Sequence, residues 1–370
     1  MKVREIAAVL ERLAPVGLAA EWDNVGLLVG DGGGQVRRLM LCIDLTEAVL
    51  AEAARAGAQM VMAYHPVIHK PISRVTAEAA PVVYEAARRG VAVYSVHTAW
   101  DSVAGGADDV LADVLGLADR RPLIPARQRG QCKIVVFVPP ADLGRVGEAA
   151  FEAGAGRIGG YSRCAFFSHG VGSFCGGANT HPAVGRAGRV EAVEELRLEM
   201  VAPLASVAAV CGAIRAAHSY ETPAIDVYPV EGWQAGCGLG RIGRLARPAG
   251  LEALVARIKR KMGARRALLA RPARAGGRKR GRIAVAACEV GTGREVYREA
   301  IAGGAGLFVT GEMPHHVALA AATAGMAVLC LGHSNTERIT LERLAKQVAT
   351  AAPKLKVIHS KQDRDPYEII

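Results

Sequence analysis

The stretch LMLCIDLTEAVLAEAARAGAQMVMAYHP, residues 39–66, decides the fold. LMLCID (39–44) and QMVMA (59–63) are apolar and read as strands, and the text at 46–56 between them reads as a helix. Strands alternating with helices of that length make a layered α/β sheet. Working outward, a helix at 3–14 precedes this unit, and a helix at 76–89 and a strand at 91–96 follow it. The same rhythm returns late in the chain: helix 249–262, strand 282–287, helix 293–302, strand 306–310, helix 314–324 and strand 326–331. Between the two halves the text changes. PLIPARQRGQ (122–131) reads as a polar joint. It is followed by a strand at 132–139, a helix at 141–153, strands at 187–191 and 196–202, a helix at 204–217 and a strand at 224–230. That βαββαβ order resembles a ferredoxin-type α+β module. The expectation is one layered α/β domain built from 1–128 and 232–370, with a smaller α+β domain, 132–231, threaded between its halves.

Composition supports a globular chain. Of 370 residues, 51% are hydrophobic, 22% charged and 5% aromatic, so the core is aliphatic. No apolar run reaches the 18 or so residues of a membrane span, and the amphipathic start MKVREIAAVLERL is not a signal peptide. The eight cysteines are scattered without a CxxC pair, as in a reduced compartment, and a cytoplasmic location is expected. The net charge of +11 is concentrated between Arg257 and Arg282, which holds twelve Lys or Arg and no acid. Such a run is either a solvated surface segment or a holder of nucleic-acid phosphates.

The chemistry-bearing residues gather where strands end. In LCLGHSNTER (329–338), an apolar run stops at Gly332 and presents His333 and Glu337, four apart and therefore on one helix face. An imidazole beside a carboxylate suits zinc, manganese, iron or cobalt. The plainer alternative is that Ser334 or Asn335 caps the helix and Glu337 is a first-turn carboxylate. Tyr64 and His65 end a strand before Pro66; His97 and Asp101 follow the strand at 91–96; Glu312, His315 and His316 lie between a strand and a helix. Each has an ordinary role open to it, as a loop hydrogen bonder or, for Asp101, a helix cap. All four places are strand-to-helix junctions, so one sheet edge is expected to gather them into a pocket.

EWDNVGLLVG (21–30), AYHPVIHK (63–70), SVHTAWDSVAGGADDVLADVLGL (95–117), VTGEMPHHVALAAATAG (309–325), CLGHSNTERI (330–339) and SKQDRDPYEII (360–370) together resemble the NIF-three-like dinuclear-metal-centre family, also called GTP cyclohydrolase 1 type 2 homologues. AGRIGGYSRCAFFSHGVGSF (155–174) and AHSYETPAIDVYPV (217–230) are similar to the PII-like or CutA-like domain inserted in its longer members. The resemblance implies one or two divalent ions per chain, held by His65, Asp101, His333 and Glu337, with Glu337 bridging. Tyr64 stands where the family has the first of two adjacent histidines. A phenol with a pKa near 10 is a poor ligand. One site would then keep His65, Asp101 and Glu337, while the weaker one would have His333 and Glu337 with Tyr64 or water. His97, Glu312 and His316 become the candidate general acids or bases, with Asp23 and Asn24 at the rim.

The resemblance further implies a ring-shaped homohexamer. The function expected is metal-dependent hydrolysis, with a divalent ion activating water. The small-molecule substrate stays open, since no GxxxxGKS phosphate loop occurs. The alternative is a metal-binding regulatory or scaffold protein whose insert takes an effector or partner, with nucleic-acid association through the basic run as a third reading.

Overall fold

The protein is described by a computed structural model covering residues 1–128, 130–230, 232–272 and 281–368. Residues 273–280, the centre of the basic run, and the last two positions of SKQDRDPYEII lie outside the described residues, as do 129, in the expected joint, and 231. The chain divides into two compact units, Met1–Arg127 with Trp233–Ile370, and Gln128–Gly232.

The first unit begins α1 (Val3–Leu13), β1 (Gly26–Val29), β2 (Arg38–Cys42), α2 (Glu47–Arg55), β3 (Met60–Ala63), α3 (Pro81–Arg88), β4 (Ala92–Ser95), α4 (His97–Ser102), α5 (Ala107–Leu115) and β5 (Leu117–Gln128). The second unit contains β6 (Gln131–Val138), α6 (Leu143–Glu152), β7 (Phe166–Cys175), β8 (Val190–Pro203), α7 (Val207–Ala217) and β9 (Ile225–Pro229). The first unit resumes with β10 (Gly232–Ala249), α8 (Leu251–Met262), β11 (Leu268–Ala270), β12 (Ile283–Cys288), α9 (Tyr297–Ala302), β13 (Leu307–Thr310), α10 (His315–Thr323), β14 (Ala327–Cys330), α11 (His333–Ala351) and β15 (Lys356–His359).

The first unit has two sheets. One runs β1-β4-β3-β2-β15, with β15, β2, β3 and β4 parallel and β1 antiparallel at the edge. The other runs β11-β14-β13-β12-β10-β5, with β12, β13 and β14 parallel. Strands β3, β4 and β13 are buried along their whole length, as parallel strands covered on both faces must be. Leu39, Leu41, Met60 and Met62 share one core with Leu307, Val309, Leu329 and, from α11, Leu341, Leu344 and Val348. Their neighbours Met40, Cys42, Val61 and Ala63 face the opposite way, into the cluster containing Val49 of α2 and Val83 of α3. One core therefore joins both sheets, and α11 belongs to it.

The second unit runs β-α-β-β-α-β and forms an antiparallel sheet in the order β7-β8-β6-β9. Its own core packs Ile134, Val136, Leu198 and Met200 against Val146, Ala150, Val210 and Ile214 of the two helices.

Three expectations need correction. The strands expected at 187–191 and 196–202 are one continuous strand, β8. The glycine-rich text before it holds β7, which pairs with β8 from Phe166↔Glu199 to Cys175↔Val190. Eight of the ten β7 residues are exposed, so backbone pairing makes the strand and apolar periodicity cannot announce it. Much of the expected joint at 122–131 is β5, an edge strand, where Pro122 and Pro125 are tolerated because one side of an edge needs no ladder bonds.

Several cations of the described part of the basic run are engaged in the fold. Arg257 donates to the Leu115 carbonyl at 2.8 Å and Lys261 to that of Val114 at 3.0 Å, so α8 supplies cations to the C-terminal carbonyls of α5. Arg282 donates to the Pro248 carbonyl. Among the described residues no helix is long and apolar enough to cross a membrane.

A buried ion pair fastens α5 to β10. Arg241, 1% exposed, donates to Asp109 at 2.9 Å and 3.1 Å, and to the carbonyls of Gly238 and Gly240. Asp108, fully buried, accepts from the backbone of Gly240 at 2.6 Å and of Val290 at 2.9 Å. Arg241→Met would leave the buried Asp108 without its cation and Asp109 with Arg120 at 3.4 Å, and is expected to cost about 3–5 kcal/mol. Urea unfolding followed by tryptophan fluorescence checks this, and an unchanged midpoint would refute it.

Candidate metal centre

The junction residues come from both sheets, not from one sheet edge as the sequence pattern implied. Asp44 lies beyond β2, Tyr64 and His65 beyond β3, and His97 and Asp101 beyond β4, all in the first sheet. Glu312 follows β13 and His333 follows β14, in the second. Glu337 lies one turn into α11, whose entry depends on Gly332 at φ +95°, a left-handed conformation that favours glycine.

Glu337 is the centre of the site. It is 2% exposed, and its Oε1 lies 3.3 Å from Nε2 of His65 and 3.1 Å from Nε2 of His333. The three residues offer ligand atoms within 4.8 Å of one another. The Oε2 of Glu337 is buried with no hydrogen-bond partner among the described residues. Gly291 keeps the space open: a Cβ there would sit 2.9 Å from Glu337 Oε1 and 3.3 Å from His333 Nε2. Two Nε2 atoms, a carboxylate with one oxygen unsatisfied and a glycine-lined gap fit a divalent cation. The capping alternative is not what forms. Ser334 donates to Asp365, Asn335 to the Leu331 carbonyl, and no side chain caps α11.

Each imidazole is held from behind by a carboxylate. His65 Nδ1 lies 2.8 Å from Asp44 Oδ1, and His333 Nδ1 lies 3.1 Å from Glu312 Oε1. This leaves both Nε2 atoms aimed at the centre. Asp44 was missed by the sequence reading. Its one signal is its place after a buried strand, shared with the other junctions. Asp44 is itself set by Asp363, which accepts from the backbone of Ile43 at 2.8 Å and also pairs with Arg338 of α11.

The electrostatics follow from this packing. Burial opposes charge on His65, but hydrogen bonds to Asp44 and Glu337 outweigh it and raise its pKa to about 10. The hydrogen bond to Glu337, against burial and with help from Glu312, raises His333 to about 9. Burial would push Glu337 up, yet the two imidazoles hold it below the usual carboxylate value.

The other expected site residues are placed as follows. Tyr64 is fully buried and its hydroxyl donates to Asp101. Burial, then the Asp101 charge, lifts the phenol well above its ordinary value, so it stays protonated. Asp101 is itself raised by burial and by the charge of Asp108. Neither belongs to the His65–His333–Glu337 cluster. The ring of His97 lies 5.2 Å from that of His65, and its Nδ1 meets Asp23 at 2.8 Å. Asp23 also accepts from Thr98. Burial raises Asp23, but the His97 and Thr98 hydrogen bonds leave it below its ordinary value. His97 has φ +26°, a strained setting for a residue with a side chain. Asn24 donates to the Ile68 carbonyl, tying the rim to the loop after β3. His316 is exposed, its ring edge-on to that of His315 at 5.3 Å, and it does not belong to the His65–His333–Glu337 cluster.

Fold and site define a layered α/β protein with a His–His–Glu cluster of metal-ligand type. The sequence matches the Duf34/NIF3 (NGG1p interacting factor 3) family over residues 1–366, and the chain belongs to that family. A Halalkalibacterium halodurans protein named GTP cyclohydrolase 1 type 2 homolog is 34% identical over 99% of this chain and 98% of its own length. One of the same name from Mycobacterium tuberculosis is 37% identical over 70% of this chain and 69% of its own. Among solved structures, a Bacillus cereus protein related to NIF3 superposes with TM-score 0.74 at 32% identity, covering 100% of this chain and 99% of its own. A Staphylococcus aureus protein has the same fold, with TM-score 0.80 at 24% identity over 100% and 99% of the two chains.

Because both histidines have folded pKa values above the ~6.5 of a free imidazole, their charge stabilises the metal-free protein fully below that pH. The contribution is lost as pH rises through about 9 and 10. The melting temperature of chelator-treated protein should therefore fall between pH 7 and pH 10 by more in the native sequence than in Glu337→Gln. Parallel curves for the two proteins would rule this linkage out.

Proposed function

We propose that this protein is a metal-dependent hydrolase of the GTP cyclohydrolase 1 type 2 homologue class. His65, His333 and Glu337 would hold one divalent ion, zinc, manganese, iron or cobalt. The observation that carries the reading is the buried Glu337, with one oxygen between two imidazoles and the other unsatisfied. When bound, the ion supplies Lewis acidity, polarising a substrate oxygen and lowering the pKa of water.

The chain's own groups do the rest. Asp44 and Glu312 fix the two imidazoles with Nε2 forward, so Glu312 acts as a positioning residue. His97 is the favoured general base: with Nδ1–H donated to Asp23, its Nε2 is left to accept a proton. The exposed Trp22, 5.8 Å from the rings of both His69 and His97, offers a flat apolar surface at the mouth for a substrate ring. His316 would serve only a substrate long enough to reach α10. Asp101 and Tyr64 would form the weaker second position, because their mutual hydrogen bond has to break before either ligates. The substrate is a small molecule. The cytoplasm is proposed on the scattered, unpaired cysteines, and a homohexameric ring on the family resemblance.

A regulatory or scaffold protein is the second reading, favoured by that same Tyr64–Asp101 bond, which holds a carboxylate away from the metal position. Nucleic-acid binding is disfavoured by the engagement of Arg257, Lys261 and Arg282 with backbone carbonyls.

Elemental analysis of protein purified without added metal should find close to one ion per chain, lost in Glu337→Ala; unchanged content in the variant would sink the ligation. Tyr64→His should raise the content toward two, and no gain would count against a vacant second position. With metal retained, His97→Ala should lower kcat by about 10²- to 10⁴-fold on any substrate turned over with manganese or zinc. An unaffected kcat would remove His97 from the chemistry.

A further inference from the structure

The unit Gln128–Gly232 contains a cavity of about 450 Å³, within the ~300–1,000 Å³ typical of small-molecule sites. It shares no residue with the metal centre. Its aromatic walls are Phe137, Phe174 and Tyr220, its charged groups are Glu195 and Glu221, and no Lys, Arg or His lines it among the described residues.

The walls are built and fixed by the local sequence. In AHSYETPA, the buried His218 lies 2.9 Å from the Phe137 carbonyl through Nε2 and accepts the Tyr220 backbone N–H through Nδ1 at 3.0 Å. Its ring packs at 4.8 Å on that of Tyr220. Asp142 takes the intervening Ser219 N–H at 3.1 Å, so the turn has little freedom. The opposite wall depends on a glycine. A Cβ at Gly172 would lie 2.1 Å from Glu195 Oε2, so only glycine there lets the Glu195 carboxylate lie across β7. Glu221 accepts the His181 N–H at 3.3 Å and 3.4 Å, tying the loop between β7 and β8 to the turn before β9.

The Tyr220 hydroxyl is buried against Glu195: burial, then hydrogen bonding to that carboxylate, lifts the phenol to about 12, so at neutral pH it is uncharged.

We propose that this cavity binds a small organic cation, an ammonium or guanidinium group on an apolar stem, with Glu195 as its charge partner and the aromatic faces of Phe137, Phe174 and Tyr220 around the stem. Aromatic faces attract cations, carboxylates pair with them, and the absence of basic lining groups excludes anions. Glu221, already bonded to the loop, shapes the opening. The inference does not depend on the hydrolase reading, since no group of the metal centre takes part.

Calorimetric titration of the full-length, chelator-treated protein with phenethylamine and with agmatine, alongside 3-phenylpropionate as an anion of matched size, tests it. Binding of at least one of the two cations and none of the carboxylate is expected. Glu195→Gln should weaken the cation by about tenfold or more, with the circular dichroism spectrum unchanged. Tyr220→Phe, which keeps the ring, should weaken it less. Failure of both cations to bind, binding of the carboxylate as tight as that of the cations, or a cation affinity unchanged in both variants would overturn the proposal.

Discussion

A carboxylate cannot be buried with its charge uncompensated, and Glu337 is 2% exposed at the start of a helix that packs between two sheets. Its compensation comes from both sides. His333 is on its own helix, at the end of the second sheet, and His65 arrives from the end of β3 in the first. The arrangement therefore requires the two sheets to share one core with α11 inside it, as Leu341, Leu344 and Val348 do. Slide α11 by one turn and Glu337 would lose His65, leaving a buried charge with one partner. The demand of one side chain thus constrains the register of a helix against both sheets.

The same device recurs around the centre. His65 rests on Asp44, His333 on Glu312 and His97 on Asp23, each through Nδ1, and each carboxylate lies outside the pocket. A carboxylate on Nδ1 selects the tautomer whose Nε2 faces inward and makes that nitrogen more basic. Without a cation at the centre, protons fill the electrostatic role, which is why two histidines beside one carboxylate are held charged well above the ordinary imidazole range. Cation and proton compete for the same nitrogen lone pairs.

Alternation of apolar strands with helices showed the layered α/β class, because period and length are local properties that survive into the fold. The pair His333 and Glu337 was legible for the same reason: helical spacing alone places them on one face. His65 was visible from Pro66, which stops its strand. What escaped depends on tertiary pairing. Asp44 and Asp23 acquire their roles only by meeting His65 and His97, 21 and 74 residues away. That the junctions belong to two sheets cannot be read from strand order, and β7 is a strand through its backbone bonds to β8 while its side chains stay largely exposed. Resemblance supplied Asp101 and Tyr64 as ligand positions, but not the bond between them.

That bond is where this chain makes its own choice. A histidine at position 64 would offer a neutral nitrogen, whereas a fully buried phenol, raised further by the Asp101 charge, can only donate its proton. Donating to Asp101 satisfies both groups in a setting where neither could be left unpaired without cost. The fold thereby gains a closed hydrogen bond where an open pair of ligands would stand. A cation seeking Asp101 has to displace that bond, while one seeking Glu337 meets an oxygen with no partner to lose. The asymmetry is thus a property of hydrogen-bond satisfaction: the first position offers an unsatisfied carboxylate oxygen, and the second a carboxylate already bonded to Tyr64.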